Sequence, residues 1–316
     1  AASACDGPGG TRLGWSAMGK ASKRRETRHT SGSDRPAAAP FVRRPFEGLP
    51  SETEWVAMRE ILPAATAAVR LVDGPATAGL PSDAPREATL ATVLPMAWPG
   101  LHRTGGGVLV ATQAGATCGD ASRDIAAAWL LATANPEGTP LTQVPTPTAD
   151  TPRLQDLLDP AAPFEVTLHE GFGFWVGDTE LDEDGAASLE QANASIVPSK
   201  RIAGAPTVFW VRFGERTFVR WVLPQDESTA TDGLARLTAA DANRLGGDAR
   251  LLGAFRACGL LVPVWEVEPE AEADSFVDAV TAMAGPLADA IADTTPLTAE
   301  ERRARSGLLS RQVTLR

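Results

Sequence analysis

The sequence predicts an α+β fold built mainly on antiparallel sheet, and three observations carry that prediction. Two apolar strand pairs, at 207–223 and 251–267, each close on a glycine turn and each precede a segment with helical spacing. Shorter strand-like runs in the first half are separated by Gly/Pro-rich connections. Hydrophobic residues make up 43% of 316, enough for a packed core at this length.

Residues 1–40 are basic, then Pro/Ala-rich, and read as a disordered tail. Residues 1–17 contain no Met, and Met18 opens a start-like stretch, so these seventeen are expected to lie outside the native protein. Peptides from 1–17 in a mass map of native protein would refute this. Order is expected from Phe41. Ser51 and Glu54 have capping-box spacing after Pro50, and Trp55, Met58 and Leu62 share a helical face that Pro63 ends. Val69–Val72, Thr89–Leu94 and Gly107–Thr112 read as strands. Asp120 is placed to cap a helix whose apolar stripe is Ala121, Ile125, Ala128, Trp129 and Ala132. These elements define an N-terminal α+β domain at 41–134. Residues 135–163 hold seven prolines and little periodicity, and read as a linker.

A C-terminal α+β domain is expected at 164–295. Gly171–Gly177 reads as a glycine-punctuated core strand. Thr207–Phe213 and Thr217–Leu223 flank Gly214-Glu215-Arg216, a hairpin with a three-residue loop. That register puts Phe209, Val211, Phe213, Val219 and Trp221 on the core face, with Trp210 beside Arg220 and Arg212 beside Phe218 on the other. A helix with Ala230, Leu234 and Leu237 inward follows. Leu251–Arg256 and Leu260–Val267 repeat the hairpin around Cys258-Gly259, before a helix carrying Phe276, Val280, Met283, Leu287 and Ile291. Gly285-Pro286 is expected to kink or break that helix. Pro263 suggests an edge strand or a bulge. Two strand-strand-helix units therefore repeat, with Trp221 and Trp265 in similar places. Residues 296–316 read as a basic helix and tail, opened by a capping box at Thr298–Glu301 and carrying Arg302, Arg303 and Arg305.

Charge is unevenly placed. The chain carries −11, but residues 1–45 carry +6, leaving −17 on the rest. An acidic body argues against broad electrostatic binding of nucleic acid. Three cysteines far apart form neither a disulfide framework nor a zinc pattern, which suits a reducing cytosol, so a cytoplasmic protein is expected. No signal peptide is read at Met18, and no apolar run is read as approaching a membrane span of about 20 residues.

Familiar chemistries find little support. Gly14–Lys20 has the glycine and lysine spacing of a phosphate loop, but Ala21 stands where a magnesium-binding hydroxyl is needed and no strand precedes it. Tyrosine is absent, which removes the usual topoisomerase nucleophile. Glu180, Asp182, Asp184 and Gly185 imitate the start of a calcium loop, but Gln191 occupies the twelfth position; an acidic turn leading into a helix is the simpler reading. A Cys–His pair would have to be assembled from Cys118 with His102 or His169, and nothing local indicates it. The pairs Asp182/Asp184 and Glu266/Glu268 read as solvated charges.

Several segments together carry a resemblance: Arg44–Pro50, Glu54–Glu60, Leu62–Thr66, Leu94–Pro99, Pro152–Pro160, Leu261–Trp265, Leu297–Arg305 and Arg311–Leu315. Over roughly 41–316 the chain resembles an uncharacterised actinobacterial domain-of-unknown-function family. The resemblance implies no activity and no catalytic residues. Some relatives carry an N-terminal SEC-C zinc motif. Here a basic tail stands in its place without a cysteine cluster, so no zinc and no other cofactor is expected.

The function expected is a non-enzymatic cytoplasmic adaptor that engages a protein or ribonucleoprotein. Contact is expected first through Lys20, Lys23, Arg24, Arg25 and Arg28, then through Arg302, Arg303 and Arg305, with no membrane involved. The alternative is an enzyme or small-molecule binder, for which Trp98, His102, Cys118 and His169 are the scattered candidates. Convergence of two of them in one pocket would favour it.

Overall fold

The computed structural model describes residues 36–310, apart from 106, 116–117, 178–179 and 248. It is mixed α+β, with seven helices and two sheets among the described residues.

The first sheet contains β1 (Ala65–Arg70), β2 (Glu87–Ala91), β3 (Gly100–His102), β4 (Val108–Ala111), β5 (Thr139–Leu141) and β6 (Thr167–Leu168), in the order β5-β3-β4-β2-β1-β6. Only β2 and β4 run parallel; the other neighbours are antiparallel. On its inner face lie α1 (Glu52–Glu60), α2 (Ala121–Ala134) and α3 (Leu154–Leu157). The Asp120 carboxylate caps α2 through Ser122 N, as its position implies, and Ile125, Ala128, Trp129 and Ala132 are buried. Helix α2 lies so close to β3 that a Cβ on Gly100 would come within 2.8 Å of Ala132 Cβ. Helix α1 forms, but its Ser51–Glu54 capping box does not: Ser51 sits at φ 54° without a side-chain cap, and Glu54 pairs instead with Arg201 at 2.6 Å.

The stretch 135–163 is folded into this layer, in place of the expected linker. Leu141 of β5 pairs with Gly100, and Leu154 and Leu157 of α3 are buried in the core. One of its prolines, Pro140, lies within β5 opposite Leu101, and the prolines restrict the chain without separating two bodies. Gly171–Gly177 is likewise a turn and not a strand. Phe172 stacks on Trp175 with ring centroids 4.2 Å apart, and the Trp175 indole N–H donates to Val93 O. Asp182 caps α4 (Glu183–Ala194) by accepting from Gly185 N, as the acidic turn implied.

The second sheet is antiparallel, in the order β10-β11-β9-β8-β7, from β7 (Ser199–Arg201), β8 (Val208–Phe213), β9 (Arg216–Trp221), β10 (Arg250–Ala257) and β11 (Leu260–Val267). The two strand-strand-helix units are present: β8-β9 leads to α5 (Glu227–Ala239), and β10-β11 leads to α6 (Val277–Ala292). Both helices pack on one face, where Ala230, Leu234, Val280, Met283, Leu287 and Ile291 share a core with Trp210, Trp221 and Trp265. The two units place Trp221 and Trp265 side by side, 6.4 Å between rings.

Four sequence expectations fail here. The first hairpin pairs Phe213 with Arg216, leaving the two-residue loop Gly214-Glu215, with Gly214 at φ 59°. This one-residue slip turns β9 over relative to β8. Trp210 therefore faces Val219 in the helix-side core, while Arg220 lies opposite Phe209 on the other face. Pro263 sits on β11, an interior strand, where pairing with β9 has ended; the bulge is on β10, between Leu251 and Gly253. Helix α6 runs through Pro286 unbroken. The segment Ala273–Ala292, in which an 18-residue window has mean hydropathy 1.2, is also long and apolar enough by composition to span a membrane, contrary to the sequence reading. Its buried stripe faces the α5 core.

Helix α7 (Ala299–Ser310) forms with both arms of its capping box, Thr298 N to Glu301 and Glu301 N to Thr298 Oγ1 at 3.2 Å. A single hydrophobic cluster joins the inner face of the first sheet to Phe209, Val222, Leu260 and Val262 of the second.

Candidate functional site

The outer face of the first sheet carries small residues. Along β1, exposed Ala68 and Arg70 alternate with buried Ala67 and Val69, as the period of a strand requires. A cleft of about 530 Å³ lies at the Arg70 end of β1 and is lined from both faces of the sheet, with Trp55, Val69, Ala88, Val108 and Phe164 coming from the inner side. Ala68, Thr89 and Leu109 contribute to its floor, the 158–164 segment forms one wall, and Arg70, Glu87 and Arg103 stand around it. Arg70 and Glu87 pair at 2.9 Å, and Arg103 donates to Phe174 O. Phe164 enters from the wall and stacks on Trp55, 3.9 Å between centroids and 8° between planes.

The cleft coincides with an interruption in the sheet edge. Odd-numbered β1 residues bond to β2, shown by Thr92 N to Ala65 O and Leu71 N to Arg86 O. Even-numbered residues turn toward β6. Thr66 is paired with Thr167, and the chain returns to β1 only at the Leu71–Leu158 bridge. Between these points the N–H and C=O of Ala68 face the gap, and no described backbone group bonds them.

His169 lies one alternate position away. Its Nε2 is 2.7 Å from Thr66 Oγ1, on the Ala68 side of β1, and its ring is 5.1 Å from Phe174. Burial lowers its pKa, which favours the neutral imidazole.

The other scattered candidates are elsewhere. His102 is buried beside the end of α2, with Nδ1 2.6 Å from Asn135 O. Cys118 lines a separate cavity of about 90 Å³ that no histidine borders, and burial pushes its thiol pKa up. Trp98 packs with Phe174 and Trp175 around the cluster of Leu94 and Leu109 on the outer face. Trp98 and His169 thus flank one aromatic cover, but neither lines the cleft. Cys258, the third thiol, is pushed up to about 12, chiefly by burial.

Residues 45–316 match a family of unknown function, DUF5926. The chain belongs to that family. The DUF5926 match includes both sheets, all seven helices and the whole cleft. No curated protein and no solved structure matches the chain.

Lys20, Lys23, Arg24, Arg25 and Arg28 precede the DUF5926 match and lie outside the described residues. Arg302, Arg303 and Arg305 are on α7. Arg305 is tied to α5 through Asp232 at 2.5 Å and Ser228 at 3.2 Å, Arg302 donates to Leu297 O, and Arg303 is exposed. None of the three borders the cleft. The sequence reading missed Ala68, Arg70, Glu87, Arg103 and Phe164. For β1 the sequence ATAAVR gives only a run of small residues ending at Arg70, and no local pattern marks Glu87, Arg103 or Phe164.

Proposed function

We propose that this DUF5926 chain is a cytoplasmic, non-catalytic adaptor that receives an extended segment of a partner protein in the cleft beside β1. The observation that carries the reading is the pair of Ala68 backbone groups facing an otherwise paired sheet edge. An added strand bonds to such groups and places alternate side chains in flanking pockets. The Trp55–Phe164 stack supplies an apolar wall, while Arg70, Arg103, Glu87 and Asp159 supply charge of both signs. The cleft brings together neither a nucleophile with a base nor two of the scattered candidates. The basic residues 20–28 extend the proposal to a second contact with the same protein or ribonucleoprotein.

A photo-crosslinking residue in place of Ala68, used in native lysate with and without nuclease, tests this. The expected result is one protein partner crosslinked at 68 and not from the same probe at Arg303. Nuclease-insensitive capture of that partner by a chain beginning at Phe41 assigns the main contact to the cleft. Absence of any partner crosslinked at 68 overturns the reading.

A further inference from the structure

Arg220 of β9 is only 4% exposed, on the sheet face opposite α5 and α6. In register it lies between Phe209 of β8 and Val264 of β11. Its guanidinium stands over two rings, Phe213 at 4.9 Å and Phe255 at 5.9 Å. Neither Nε nor Nη2 has a hydrogen-bond partner among the described residues.

Comparison with other arginines makes this unusual. Arg44, Arg153 and Arg256 meet Glu52, Asp120 and Glu227 within 2.8 Å. Arg220 has aromatic faces and no carboxylate. Burial draws its pKa down to about 10, which leaves it charged at neutral pH. The rings offset part of the lost hydration, but they offer no oxygen to accept from Nε or Nη2. Nε and Nη2 form one such edge, the planar fork that fits both oxygens of a carboxylate.

The surroundings suit the rest of such a ligand. Phe213, Leu252 and Phe255 are partly buried beside the closed cluster of Val211, Phe218 and Val264. The β10 bulge leaves Leu252 out of register, and bulges re-aim side chains in this way. We infer that Arg220 is the anchor of a binding site for a small carboxylic acid with a flat apolar body, which enters beside Phe213, Leu252 and Phe255. The site is on the second sheet and independent of the cleft on the first.

The test is thermal unfolding of the full chain in sodium benzoate, with sodium chloride and sodium phosphate at matched ionic strength, for wild type, Arg220→Met and Arg220→Lys. Binding to the folded state raises Tm with ligand concentration. The expected result is a benzoate-specific rise in wild type, lost in Arg220→Met. In Arg220→Lys, which keeps the charge without the fork, benzoate affinity is expected to fall at least about tenfold. An equal response to all three salts, no response in wild type, or a response retained in Arg220→Met overturns the proposal. Should Arg220→Met fail to fold, an undiminished response in Arg220→Lys overturns it.

Discussion

Burial lowers the pKa of His169, so the folded protein releases a proton that the unfolded chain still holds. Above the unfolded value, about 6.5, both states are neutral there and stability is unaffected. Between that value and the lower folded one, the unfolded state binds more protons, so stability falls as pH falls through the window. His169→Gln is expected to flatten this part of a stability–pH profile, and the His169 ring should titrate below 6.5 by NMR. A profile unchanged by the substitution would show that the imidazole is not the responsible group. The sequence offered His169 with Cys118 as its one possible partner, whereas the group it meets, Thr66, is 103 residues away and carries no local signal. The same holds for Arg220: it was read beside Trp210, and only the true register shows it stacked on Phe213 and Phe255.

Helix packing is tightest where α5 crosses the end of α6. A Cβ on Gly233 would fall 2.4 Å from Ile291 Cγ1 and 2.8 Å from its Cα. Gly233→Ala is therefore expected to destabilise by about 1–3 kcal/mol, against its intrinsic gain in helix propensity. Gly307→Ala on α7, where a Cβ meets nothing within 4 Å, should be neutral or stabilising. Denaturant midpoints would separate the two, and equal shifts would contradict the packing account. The helices were legible because their apolar stripes persist over several turns and their caps, Asp120 and Thr298, are local. Strands β3, β5 and β7 have three residues each and β6 has two, too short to establish a period. The β8–β9 register was misread for another reason: both faces of that hairpin are buried, so apolar alternation does not distinguish them. The cleft was illegible because its parts come from residues 50 to 164 and meet only in the folded sheet.

Across the whole molecule, Asp120 is a joint. It is fully buried and accepts from Arg153 Nε at 2.8 Å and from Ser122 N at 3.2 Å, with Arg123 Nε 3.3 Å away. Arg153 also donates to Pro45 O, so one carboxylate helps connect the start of the described chain, α2 and α3. Asp120→Ala leaves two arginines without their counter-charge and removes a helix cap; a loss of about 3–5 kcal/mol is expected by chemical denaturation. A loss below about 1 kcal/mol would assign the network to the screened surface class. The beginning of the described chain is held from much farther away. Arg43 pairs with Asp226, 183 residues later, and Arg44 donates to Pro224 O. Gly259 leaves no room for a Cβ, which would lie 2.6 Å from Arg43 O. During synthesis at about 5–20 residues per second, Arg43 waits roughly 10–40 s for its partner to be made. When Asp226 has been made, Leu260 and Val262, which complete the core of the first sheet, are still to come, so the nascent chain exposes apolar surface that only later synthesis covers.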